Sequence, residues 1–129
     1  MPEPHVAFTE ILGGVIRERR KLLRKRQEDL APILSIGPSA WSRLEAGQSN
    51  MTVVQLRATA RALRTEASQL LRQAEVLAAQ IPSASPGVKV VDSRPRSAAE
   101  TAGWFLGGAA VGALVASLLS RSETEDDID

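Results

Sequence analysis

Residues 27–47 read QEDLAPILSIGPSAWSRLEAG, and the most informative local signals of the sequence lie in this segment. The pattern predicts a short helix over 27–34, a tight turn over 35–37 and a second short helix over 38–46. Proline opens the second helix, which suits the first helical position because the missing N–H has no helical partner there. Gly47 follows it and ends the helix, since glycine accepts a left-handed backbone. Two short helices joined by a tight turn are therefore expected at the centre of the domain.

Side-chain size and charge indicate how these two helices pack. Ala31 is small enough to let them cross closely, and the register of Trp41 points its ring into the core. Glu45 is expected to pair with an arginine of the preceding helix, either Arg17 or Arg20. Proline at position 32 removes a backbone hydrogen bond inside the first short helix, so a kink is expected there.

Longer helices are predicted on both sides of this centre. Apolar residues at helical spacing predict a first helix that starts near Thr9, with the Thr9 hydroxyl as its cap. A fourth helix is expected from Thr52 with Val53 facing inward, and a fifth from Thr65, whose apolar run suggests either dimerisation or packing onto the domain. The fold class is all-α, with a five-helix domain over residues 6–81.

The helix, turn and helix over 27–46 match the DNA-reading unit of helix-turn-helix proteins. The motif residues in register are Ile16-Arg17, Arg20, Gln27, Leu30-Ala31, the run WSRLEAG over 41–47 and the run ATARAL over 58–63. This set, spread from residue 8 to about 71, resembles the Xre family of the Cro and phage-repressor type. The resemblance implies a phage-repressor-like fold, a recognition helix in the DNA major groove, and sequence-specific DNA binding that regulates transcription.

Two positions depart from the family pattern. Ser35 stands where the family usually has glycine for the turn, so Gly37 is expected to take the strained backbone position instead. Pro38 replaces a position where many relatives carry a polar side chain that reads a base, which predicts modest sequence discrimination.

A run of positive charge precedes the motif. Residues 17–26 contain seven arginines and lysines and a single acid, Glu18, which predicts contact with phosphates. Arg43 can donate two hydrogen bonds to guanine. By resemblance, Gln27 braces the recognition helix and the loop over 48–50 touches phosphates. The predicted DNA-binding residues are Arg17, Arg20, Arg24, Lys25, Arg26, Gln27, Pro38, Ser39, Ser42, Arg43, Gln48, Ser49 and Asn50.

Composition argues against several classes of site. The 129 residues include no cysteine, one histidine (His5, expected in a frayed N-terminus) and four aromatic side chains. Thiolate zinc sites, Ser-His-Asp triads, multi-histidine metal sites and aromatic base-stacking platforms therefore cannot be assembled. We expect no catalytic residues, no metal and no cofactor, and hence a non-enzymatic protein.

The chain after residue 81 changes character. Residues 82–100 are rich in proline and serine and predict a flexible linker, and residues 121–129 form an acidic tail. Residues 101–120 carry no charge and contain glycines at a spacing of four, which predicts an apolar Gly-rich helix. That helix either spans a lipid bilayer or packs in an oligomer.

The expected partners are double-stranded DNA, a second copy of the chain in a homodimer, and a lipid bilayer through residues 101–120. The expected location is the cytoplasm, on DNA, with the C-terminal helix as an optional anchor in the inner membrane. An alternative function is a membrane-anchored adaptor or structural protein that uses the helical domain for protein–protein contact. An antitoxin that also binds DNA is a third possibility.

Overall fold

The computed structural model describes residues 4–93 and 108–126, with side chains described over 4–93 and 111–121. The elements in chain order are β1 (His5–Ala7), α1 (Phe8–Leu22), α2 (Gln27–Leu30), a 3₁₀ helix (Ala31–Leu34), α3 (Pro38–Glu45), α4 (Val53–Ala62), α5 (Ala67–Ala84), β2 (Lys89–Val91) and α6 (Gly108–Asp126). The five helices of the predicted domain are present, and a two-stranded sheet is added to the all-α expectation.

Helix α1 is the central element of the core. Its residues Ile11, Val15 and Ile16 are almost fully buried, because they recur on one face at helical spacing. The long helix α5 packs against α1 through Leu70, Ala74, Leu77 and Ile81, which are all buried. The apolar run of α5 is therefore used largely for packing within the chain.

Side chains close the first turns of α1 and α4. Thr52, where the fourth helix was predicted to start, caps α4, because its Oγ1 accepts the N–H of Gln55 at 3.0 Å. At α1 the prediction is wrong: the Glu10 carboxylate accepts the Ala7 N–H at 3.1 Å, and the Thr9 hydroxyl instead donates to the Gly47 carbonyl at 3.1 Å. Val53, predicted to face inward, is 73% exposed.

Residues His5–Ala7 form a strand, so the expectation that His5 lies in a frayed segment is wrong; residues 1–3 lie outside the described residues. Strand β1 pairs with β2 in parallel, with Val6 opposite Val90 and Ala7 opposite Val91. Val6 and Ala7 are fully buried, so this pairing closes the core beside α1 and α5. Within the predicted linker over 82–100, the structure places the end of α5 and β2, while residues 94–100 lie outside the described residues.

Proline 32 changes the helix type in the first half of the motif. Helix α2 ends at Leu30, and the chain continues as a 3₁₀ helix over Ala31–Leu34 with the proline in its first turn. A 3₁₀ helix makes i to i+3 hydrogen bonds, so the ring of Pro32 does not clash with the carbonyl four residues earlier. The change from an α-helix to a 3₁₀ helix is thus the distortion that Pro32 introduces where a kink was expected.

The turn between the two helices places its strain at Ser35. Ser35 has a φ of +56° and lies in the left-handed region, whereas Gly37 has an ordinary φ of −77° and precedes α3 as its N-cap. The expectation that Gly37 takes the strained position is wrong. The hydrogen bonds of the Ser35 and Ile36 N–H groups to Pro32 and Ala31 carbonyls fix the left-handed residue at the end of the 3₁₀ helix.

Replacing the left-handed serine by glycine is expected to stabilise the protein. A left-handed backbone costs a residue with a side chain about 1–2 kcal/mol, and glycine avoids this cost. Glycine also gives the unfolded chain more conformational entropy, which offsets part of the stabilisation. We expect Ser35→Gly to raise the free energy of unfolding by about 0.5–1 kcal/mol, measured by urea denaturation. Ser39→Gly, on the exposed face of α3, serves as the control and should lower it. A loss of stability in Ser35→Gly would contradict the assignment of strain.

Helix α6 packs along α1 and α5. Val111, Val115 and Leu118 are buried on one face, and Val115 contacts α1 at Gly14. In the described parts of the chain, none of the helices is both long and apolar enough to cross a bilayer. The predicted helix over 101–120 is thus observed from Gly108 and packed on the domain, and residues 101–107 lie outside the described residues.

Candidate nucleic-acid interface

Helix α3 presents one exposed and one buried face. Trp41 and Leu44 are buried, which confirms the predicted inward register of the tryptophan. Ser39, Ser42 and Arg43 lie on the opposite, exposed face. The eight residues of α3 form a rod about 12 Å long, whose polar face is open to solvent and can enter a groove of matching width.

A buried hydrogen-bond network at Glu45 fixes α3 against α1 and α2. The Glu45 carboxylate accepts from Arg20 at 2.7 and 3.0 Å, from the Trp41 indole N–H at 2.7 Å and from the Gln27 amide at 3.3 Å. The Arg20 and Glu45 side chains are 11% and 4% exposed, so the pair is largely desolvated. The expected ion pair of Glu45 is confirmed, with Arg20 as its partner.

The cations of residues 17–26 divide into two groups. Arg20 and Lys25 use their donors inside the protein: Arg20 also donates to the Lys25 carbonyl at 2.9 Å, and Lys25 Nζ donates to the Ala62 carbonyl at 2.9 Å. Arg19, which is not among the predicted DNA-binding residues, likewise donates to the Leu63 and Arg64 carbonyls at the end of α4. Cations at a helix C-terminus offset the negative end of its dipole. Part of this charge therefore holds α4 in place.

The second group is accessible to a ligand. Lys21, Arg24 and Arg26 are exposed, and Arg17 is half-buried. Among the described residues, the Arg17 side chain has no hydrogen-bond or ion-pair partner. These four side chains carry the positive charge that α1 and the following turn offer to an anion.

The loop after α3 is held close to α1 by glycine. Gly47 has a φ of +74°, as predicted, and a Cβ atom there would lie 2.5 Å from the backbone of Glu10. Only glycine therefore fits at this crossing. The polar residues that follow it, Gln48, Ser49 and Asn50, are all exposed, and the Gln48 N–H donates to the Arg43 carbonyl of α3 at 2.9 Å.

Comparison with known protein families agrees with this geometry. Residues 11–74, which include α2, the turn and α3, match the family model of the helix-turn-helix domain. This segment is similar to helix-turn-helix domains. No curated protein and no solved structure matches the chain. The helix-turn-helix domain supports DNA binding, and families of this kind are typically non-enzymatic.

The predicted interface residues are distributed unevenly around the helix-turn-helix domain. Those that face solvent are Arg24, Arg26, Pro38, Ser39, Ser42, Arg43, Gln48, Ser49 and Asn50; those that are half-buried are Arg17, Arg20, Lys25 and Gln27. Of the half-buried set, Arg20, Lys25 and Gln27 bond to protein atoms. The structure thus gives these three residues an internal bracing role in addition to any contact with a ligand.

Sequence reasoning missed the glycines that set the helix spacing. A Cβ atom at Gly13 would overlap the carbonyl oxygen of Glu45, so α1 and α3 are in backbone contact there. Gly14 lies against the side chain of Val115 of α6. Two consecutive glycines inside a helical pattern cost about 1 kcal/mol each relative to alanine. A pair of glycines that lowers helix stability in this way indicates that other parts of the chain approach α1 closely at this point.

Proposed function

We propose that this protein is an Xre-type transcriptional regulator that binds double-stranded DNA sequence-specifically through α3 in the major groove. The observation that carries the proposal is the open face of α3, where Ser39, Ser42 and Arg43 are exposed while Trp41 and Glu45 lock the other face into the domain. A rigid, exposed helix with a guanidinium and two hydroxyls suits base edges, and Arg43 matches the O6 and N7 acceptors of guanine.

Phosphate contacts are assigned to the cations that the protein does not use internally. Arg24 and Arg26 are exposed in the turn before α2, and Arg17 lies half-buried on α1. Arg20 and Gln27 act mainly as braces of the recognition helix and Lys25 as a brace of α4, while the loop residues Gln48, Ser49 and Asn50 add neutral donors. Contacts to phosphates fix the register of the protein on DNA without selecting sequence.

A two-fold homodimer is part of the proposal. One α3 helix covers only a few base pairs, and two-fold dimers of such domains bind half-sites about 34 Å apart. The inner face of α5 is occupied within the chain, so its contribution to a dimer would come from the exposed residues Leu71 and Val76. Two protected half-sites at that spacing in a footprint on selected DNA would support this arrangement.

The test compares two arginines with different expected roles on DNA selected from a random-sequence pool. Arg43→Ala should lose about 1–3 kcal/mol of discrimination at one base pair while it keeps most affinity for other sequences. Arg24→Ala should weaken binding to all sequences about equally and reduce the slope of log K against log salt by about one. Arg72→Ala, an exposed arginine on α5, is the charge-matched control.

Each outcome bears on the proposal. If Arg43→Ala leaves base preference unchanged, α3 is not the sequence-reading helix. If the wild-type chain fails to bind any duplex at low salt, the helical domain serves protein contact and the proposal is wrong.

A further inference from the structure

A cavity of about 330 Å³ lies beside the recognition helix, between α1, α3 and α6. Its lining includes Arg17, Gln27, Ser42 and the first described side chain of α6, Val111. Ser42 is also part of the exposed face of α3, so the cavity opens onto the surface that would face DNA. Helix α6 lies outside the region that matches the helix-turn-helix family, so this cavity is an addition to the domain.

The positive charge that the cavity offers comes from Arg17. The Glu45 carboxylate also lines it, but four donors from Arg20, Trp41 and Gln27 already bond to its two oxygens. Glu10 lies two turns before Arg17 on α1, about 10 Å along the helix axis, where its carboxylate accepts the Ala7 N–H. Arg17 is therefore the guanidinium of this cavity that has no hydrogen-bond or ion-pair partner among the described residues, and it shares the lining with the Glu10 carboxylate.

Helix α6 forms the wall against which this guanidinium lies. A Cβ atom at Gly112 would lie 3.3 Å from Nη1 of Arg17, so the backbone of α6 and the arginine are in close contact. Val111 and Val115, both buried, hold α6 in that position. A side chain confined in this way loses less entropy when it binds, which raises its affinity for an anion.

We propose that this cavity is a phosphate-binding site in which Arg17 contacts one backbone phosphate of bound DNA, and that α6 completes the site by holding the Arg17 guanidinium against Gly112. A guanidinium matches the oxygens of a phosphate with two parallel hydrogen bonds. The Ser42 hydroxyl and the Gln27 amide are donors on the same cavity. The inference rests on the proposed DNA binding and adds the C-terminal helix to the contact surface.

The experiment measures binding of the full chain to a mixed-sequence duplex of about 30 base pairs across a series of salt concentrations. Arg17→Met keeps the length of the side chain and removes the charge; it should weaken binding about tenfold and reduce the salt slope by about 0.9. Arg72→Met, which removes an exposed arginine of α5, should change the slope by much less.

The role of α6 is tested without changing any charge. Gly112→Leu places a side chain where Arg17 lies, and it should weaken binding about threefold and lower the salt slope. Ala113→Leu adds the same bulk one residue along, on the exposed face of α6, and should leave both quantities unchanged. In the double variant Arg17→Met/Gly112→Leu, the second change should add nothing, because the arginine that Gly112 positions is gone.

Four results separate this inference from the proposed function. If Arg17→Met lowers the slope but Gly112→Leu does not, Arg17 binds phosphate without α6 and the inference fails, while DNA binding stands. If Gly112→Leu tightens binding, α6 opposes DNA and the inference is overturned. Inorganic phosphate could raise the melting temperature of the wild-type chain but not that of Arg17→Met, while both chains bind DNA with the same salt slope. In that case the cavity binds a free anion instead. If the wild-type chain binds no duplex, the proposed function itself fails.

Discussion

Glu45→Ala is expected to lower the free energy of unfolding by about 3–5 kcal/mol, the largest effect of any single change considered for this chain. The substitution removes the acceptor of four hydrogen bonds, and it leaves the largely buried Arg20 charge without its counter-ion and the Trp41 N–H without its acceptor. Typical domains are stable by about 5–15 kcal/mol, so a large part of the total is lost. Urea denaturation followed by circular dichroism measures it.

Two variants test whether the loss comes from the buried network. Glu28→Ala removes an exposed carboxylate from α2 and should change stability by less than about 0.5 kcal/mol. Arg20→Met/Glu45→Met removes both charges and should cost less than the two single changes added together, because neither charge is left unpaired. A loss of under 1 kcal/mol for Glu45→Ala would contradict this account of how α3 is held.

Gly13→Ala is expected to lower the free energy of unfolding by about 2–3 kcal/mol, although alanine is the better helix former. The added Cβ atom would overlap the Glu45 carbonyl, and a backbone atom cannot move aside as a flexible side chain can. Helices α1 and α3 must therefore separate. Thermal unfolding followed by circular dichroism gives the change in stability.

The neighbouring glycine supplies the matched control for Gly13. Gly14→Ala gains the same helix propensity, but its new Cβ atom meets the side chain of Val115 on α6, at 3.0 Å. A shift of α6 can relieve that contact, so we expect a net loss below about 1 kcal/mol. Equal losses in the two variants would show that the close approach of α1 and α3 is not the cause.

The central motif could be predicted because its signals are local. Pro38 and Gly47 mark the ends of α3. Trp41 and Leu44 are three residues apart, with polar residues between them, and this helical spacing defines the inner face of α3. The choice between Arg17 and Arg20 as the partner of Glu45 could not be made from sequence. The two arginines are three residues apart on α1, so they share a face, and the crossing angle of the helices decides between them.

The parts that escaped prediction depend on distant contacts. Strands of three residues have too short a pattern to recognise, and β1 and β2, which are far apart in sequence, pair only because the packing of α1 and α5 brings them together. In the apolar C-terminal segment, Val111, Val115 and Leu118 recur at intervals of four and three residues. That one-sided spacing favours a helix packed on a protein surface, but the lack of charge gave greater weight to a membrane.

The parallel pairing of His5–Ala7 with Lys89–Val91 also sets the order in which the protein can fold during synthesis. The ribosome makes β1 first, yet its partner emerges only after five helices have been completed. Until then Val6 and Ala7 have no strand to cover them, and this short apolar segment remains open to chaperones or to other nascent chains. The helices, whose contacts are closer in sequence, can assemble earlier, and the two strands then join as the last step of domain closure.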